Sequence, residues 1–145
     1  MQKKTKFTDI IKIEKNKLQN LEKELKNEFK LIDDYSKNME NIEKDILQID
    51  YPISGTFSML QQYNFAMHNM KSDVQKLNEM RNKAGERINK IRLKMKNVNI
   101  ELEKFKFIED EIIQERRKQF LEEESKNLDE IAIILHSTNK RSSKF

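Results

Sequence analysis

A seven-residue apolar repeat runs through most of this chain and constrains the fold more than any other feature. Stepping alternately by four and three residues from Phe7 lands on Ile11, Glu14, Leu18, Leu21, Leu25, Glu28, Ile32, Tyr35, Met39, Ile42, Ile46 and Ile49. A second walk, from Leu60, lands on Tyr63, Met67, Met70, Val74, Leu77, Arg81, Ala84, Ile88, Ile91, Met95, Val98, Leu102 and Phe105. Of these 27 positions 24 are apolar, where a chain that is 36% hydrophobic would place about ten by chance. A strict 3.5-residue repeat keeps one stripe of a helix against a partner helix, so both segments read as strands of a coiled coil.

Between the walks lies "LQIDYPISGTFSML", with the only proline, Pro52, and one of two glycines, Gly55. Pro52 lacks an N–H and disfavours helix at Tyr51, and Gly55 can take a backbone conformation closed to other residues. Ser54 or Thr56 can cap the next helix through a side-chain oxygen. A connection this short makes consecutive helices antiparallel neighbours. The expected fold is all-α: two long helices in an antiparallel coiled-coil hairpin, the second longer than the first. The expected bounds form a single domain 1–145, with helix one at about 6–50, a turn at about 51–56, helix two at about 57–136 and a frayed basic tail at 137–145. Ile49 and Leu60 are expected to close the core, and Tyr51, Ile53 and Phe57 to cover the tip.

Pairing Ile49 with Phe57 across the turn sets a register. In it Glu28 falls within about a turn of Arg81, and Glu14 falls near Arg92. The polar interruptions of the seam, Glu14, Glu28 and Arg81, with Arg92 beside it, are expected to partner one another and to fix register more than stability. The same register runs helix one out opposite about residue 99. Past Phe105 the frame turns mostly polar, through Glu109, Ile112, Arg116, Gln119 and Glu123. The apolar residues move instead to Ile108, Ile112, Ile113, Phe120, Leu121, Leu128, Ile131 and Leu135, drifting toward an eleven-residue spacing. This segment is expected to project as a single helix or to meet another protein, with Lys118–Glu122 and Glu122–Lys126 as supporting pairs. Phe120, Leu128, Ile131 and Leu135 are costly to leave wet together, so they read as a partner surface, with end-packing or self-association as the alternatives.

Several chemistries find no support. There is no cysteine, which excludes disulfides and thiolate sites and fits a reducing compartment. His68 and His136 lie far apart and off the seam, the pattern of surface histidines rather than of a metal site. No phosphate-binding glycine motif occurs, and the acidic runs "IEDE" and "EEE" have no pocket to desolvate them in a two-helix fold. No enzyme activity, cofactor or metal is expected. The longest apolar run, "IAIIL", falls far short of the ~20 residues that cross a bilayer. A soluble, cytoplasmic protein is expected. The net charge of +4 raises nucleic acid as a partner, and the basic band at 81–96 carries seven Lys and Arg against Glu86 alone. Without interleaved aromatics for base stacking, that band points to an acidic protein surface instead.

Local strings add a resemblance. "LIDDY" at 31–35, "LQQYNF" at 60–65 and "SKNLDEIA" at 125–132 stand in order within two long helical segments and a mid-chain break. Together they resemble the FliJ family of flagellar type III export, whose injectisome counterpart is YscO. The resemblance implies an antiparallel coiled coil similar to the central gamma stalk of rotary ATPases. It implies that the end with both termini enters the export ATPase hexamer, that turn-proximal surfaces meet the membrane export gate, and that export chaperones bind. The protein would then sit peripherally on the cytoplasmic side of the membrane apparatus. Gate docking would fall to Leu31, Tyr35, Tyr63, Met67 and Met70. ATPase-ring contact would fall to Phe7, Ile11, Phe120, Leu128 and Ile131, with the acidic face of 109–124 against basic pore loops. A reading from another class is a chaperone or adaptor for amphipathic segments of exported subunits.

Overall fold

The computed structural model describes residues 4–53 and 55–142. They form two helices, α1 (Thr8–Gln48) and α2 (Phe57–Ser142), of 41 and 86 residues, paired as an antiparallel hairpin. Each terminus has a local cause. Ahead of α1 the Thr5 hydroxyl accepts from the Phe7 N–H at 3.1 Å, and the Thr8 hydroxyl accepts from the Thr5 N–H at 2.9 Å. This reciprocal pattern is that of a capping box, and Asp9 in the first turn suits the positive end of the helix dipole. The helix stops at Gln48, short of Pro52. Gly55 takes a φ of +154°, and a Cβ there would lie 2.7 Å from the Met59 sulfur. Thr56 caps α2, its hydroxyl accepting from the Met59 N–H at 3.4 Å; Ser54, the other expected cap, lies outside the described residues.

α2 continues to Ser142, past the helix end expected near residue 136; the rest of the expected frayed tail, 143–145, lies outside the described residues. The sequence "HSTNK" holds no breaker, and the Thr138 hydroxyl donates back to the Ile134 carbonyl at 2.9 Å.

Packing sorts the chain into two compact units, one joining the residues up to Lys15 with those from Ile100 onward, the other Asn16–Asn99. In the Asn16–Asn99 unit every seam position expected from the repeat, Leu18 to Ile49 and Leu60 to Val98, is buried or half-buried. Met39, Ala84, Ile88 and Ile91 form its innermost layer, with Ala84 at 0% exposure. Each large apolar side chain taken from water contributes about 1.5–3 kcal/mol. In the other unit Ile11 and Leu102 are buried, and Phe7 stacks on Phe105 with centroids 5.8 Å apart.

The register differs from the expected one. Glu28 meets Arg87, roughly nine residues further along α2 than a tight closure at Ile49 and Phe57 would give. Residues 49–56 leave the helix, and Tyr51 folds back edge-on to Tyr63 with centroids 5.1 Å apart. The first turns of α2 therefore extend past the end of α1. Ile53 is 98% and Phe57 74% exposed, so of the residues expected to cover the tip only Tyr51 packs against an aromatic partner. In the other unit the same shift appears at the start of α1, where Thr8 meets Glu109 rather than a residue near 99.

Candidate interaction surfaces

The polar seam comes first, since it sets which side chains face one another. Arg87 Nε donates to Glu28 Oε1 at 3.0 Å, and a second guanidinium nitrogen lies 3.0 Å from Oε2. The Glu28 side chain is 17% exposed, and its hydrogen bond raises the Arg87 pKa above the ordinary value. Glu28 thus has a basic partner across the seam, but it is Arg87 and not the expected Arg81. Arg81 instead donates to Ser36 Oγ at 3.5 Å and to Asn78 Oδ1, one turn back on its own helix, at 2.8 Å. The Arg92 guanidinium lies over the Phe29 ring, 5.6 Å from its centroid, a cation–π arrangement. Glu14 is half-buried and belongs to the other unit.

One polar seam residue went unassigned at the level of sequence. Glu109 Oε2 accepts from both the Thr5 and Thr8 hydroxyls, each at 2.8 Å, and Thr5 is buried. The signal was present: Glu109 is the next heptad position after Phe105, and two threonines bracket Phe7. Beyond it, Arg116 donates to the Lys4 carbonyl at 2.9 Å.

The residues that resemblance assigned to gate docking fall into two groups in the Asn16–Asn99 unit. Leu31 is exposed and Tyr35 half-buried, next to Ser36 where it meets Arg81. Tyr63 packs on Tyr51, and Met67 and Met70 follow it along the half-buried seam. Ser36 meets Arg81, which stands along α2 about 16 Å of helical rise from Met70 and about 27 Å from Tyr63. Leu31 and Tyr35 therefore do not form one patch with Tyr63, Met67 and Met70.

The residues assigned to ATPase contact divide as well. Phe7 and Ile11 are spent on packing against α2, whereas Phe120, Leu128 and Ile131 are exposed. Every described residue from Gln114 to Lys140 is exposed. Along this arm Ile113, Phe120, Leu128, Ile131 and Leu135 fall on one helix face, interrupted by Arg117 and Glu124, with acidic, basic, polar and apolar residues mixed around the remainder. Such a face can bind another helix or a groove; it holds no side chain in an enclosed site. Among the described residues no cluster of His, Cys, Asp or Glu is placed to hold a metal ion, and no helix is long and apolar enough to cross a membrane.

A hairpin whose second helix carries an uncovered amphipathic face belongs to the class of coiled-coil proteins that work through helix-face contacts. The chain belongs to the FliJ family: the family model described as "Flagellar FliJ protein" matches residues 2–141. Membership makes it a component of flagellar export. No curated protein and no solved structure matches the chain.

Proposed function

We propose that the protein is a non-catalytic coupling component of the flagellar export apparatus. In this reading the arm beyond Ile113 inserts into the export ATPase ring and promotes its assembly or activity. Surfaces of the Asn16–Asn99 unit link the ring to the membrane export gate and to export chaperones, on the cytoplasmic side of the membrane. The observation that carries the reading is the exposure of Phe120, Leu128 and Ile131 on a helix that belongs to a flagellar family. An apolar stripe of this length is costly in water and calls for a partner. Phe7 and Ile11 support the arm from the packed side, and the acidic residues of 110–124 would face basic loops of the pore; Glu109, engaged by the Thr5 and Thr8 hydroxyls, is not among them.

The test uses the full chain with Phe120, Leu128 and Ile131 each changed to Ser. Added to a purified export ATPase, the wild type should raise ATP hydrolysis and the triple variant should not, with unchanged helix content by circular dichroism. Equal stimulation by both proteins would end this assignment. A second reading, a chaperone or adaptor for amphipathic segments of exported subunits, is favoured by the clefts that flank the seam between Leu21 and Val98. It predicts capture of export substrates with no effect on hydrolysis.

A further inference from the structure

We infer that one flank of the hairpin in the Asn16–Asn99 unit is a docking groove for an acidic amphipathic helix of a partner protein. Two clefts of about 310 and 410 Å³ lie along this flank and share Lys94. Their α1 wall is built from Lys17, Asn20, Glu24 and Asn27, and their α2 wall from Arg87, Lys90, Lys94 and Asn97. Both walls follow alternating steps of three and four, so each is one continuous helix face beside the seam. The floor is apolar, formed by Leu21, Ile91 and Val98.

Charge chooses the occupant. Arg87 is engaged by Glu28, while neither Lys90 nor Lys94 has an ion-pair partner among the described residues, and both are exposed. Asn20, Asn27 and Asn97 add amides that can donate as well as accept. A helix with leucines down one side and carboxylates at its edges would cover the floor and meet these cations together. Nucleic acid fits less well. Phosphates would use the lysines but leave the apolar floor wet, and no aromatic ring lines the clefts to stack a base. The groove uses none of the arm residues assigned above to the ATPase, so it stands apart from that assignment; it rests on the adaptor reading, which draws on the same cleft.

The probes are two fluorescein-labelled helical peptides of about three heptads, with Leu at the two core positions and either Glu or Lys at the flanking ones. Titrated against the full chain by fluorescence anisotropy, the Glu peptide should bind, weaken steeply toward about 0.3 M salt, and outcompete the Lys peptide. The double variant Lys90→Glu/Lys94→Glu should lose about tenfold or more in affinity. Lys90→Gln/Lys94→Gln should lose less, and Lys71→Glu/Lys104→Glu, outside the clefts, should bind as wild type. ATPase stimulation by Lys90→Glu/Lys94→Glu should be unchanged, which keeps failure of the groove distinct from failure of the coupling role. The inference is overturned if the two peptides bind alike, if the cleft variants bind as wild type, or if a DNA duplex competes as well as the Glu peptide. It is equally overturned if sedimentation shows the chain self-associating through Lys90 and Lys94, since the groove would then belong to a second copy.

Discussion

Compare α2 around Ile88 with α2 around Leu128. Both stretches are regular helix, rich in charged residues, with an apolar side chain every three or four residues. Around Ile88 the apolar stripe is covered: Ala84, Ile88 and Ile91 are all buried. Around Leu128 it is open, and Phe120, Ile131 and Leu135 are each at least half exposed. The difference lies in the partner rather than in the local sequence. A stripe on the 3.5-residue repeat has α1 against it, whereas the stripe on the drifting spacing has nothing covering it among the described residues. Helix propensity supports both, but only the first also gains burial, so the two should respond to the same kind of change by very different amounts.

The largest contrast is expected from truncating the buried stripe. Ile88→Ala should cost about 2–4 kcal/mol in urea unfolding, through lost burial and the cavity left behind. Glu28→Ala removes the cross-seam partner of Arg87 and should cost about 1–2 kcal/mol, less because Arg87 can turn to water. A loss as large as that of Ile88→Ala would mean that the polar pair, and not the apolar stripe, holds this stretch together. Gly85 sits beside the core, yet nothing lies within 4 Å of where its Cβ would be. Gly85→Ala should therefore raise stability by up to about 1 kcal/mol, read as a higher thermal midpoint. Smallest of all, Leu128→Ala should change unfolding by less than about 0.5 kcal/mol. A clear loss of stability there would mean that the arm is covered in solution and would dissolve the comparison.

The seam was fully legible in the sequence, because its period depends only on helix geometry: each of the 27 walked positions is buried or half-buried. The register was not. A heptad seam matches itself again after every seven residues, so the periodicity that reveals Glu28 as a seam residue cannot say which stretch of α2 it meets, and its partner Arg87 stands off the walked positions, next to Ile88. That choice rests with the connection, where Tyr51 closes on Tyr63 and leaves Ile53 and Phe57 outside. Apolar residues flanking Pro52 gave no sign of staying wet, since composition cannot tell a covered tip from an open one. The open stripe beyond Ile113 was legible as a loss of frame. The flank of Lys90 and Lys94 was visible only as a charge run, and its apolar floor needed the two helices placed side by side.

The shared acceptor at Glu109 bears on that degeneracy. If α1 slid by one heptad against this part of α2, the Thr5 and Thr8 hydroxyls would leave the carboxylate and face either Leu102 or Arg116. The first is a hydrocarbon that accepts nothing, and the second is a cation that only donates. Neither slipped state offers an acceptor for the two hydroxyl protons, one of them on a buried residue, so the repeat, which by itself permits sliding, is indexed to a single tooth at this end.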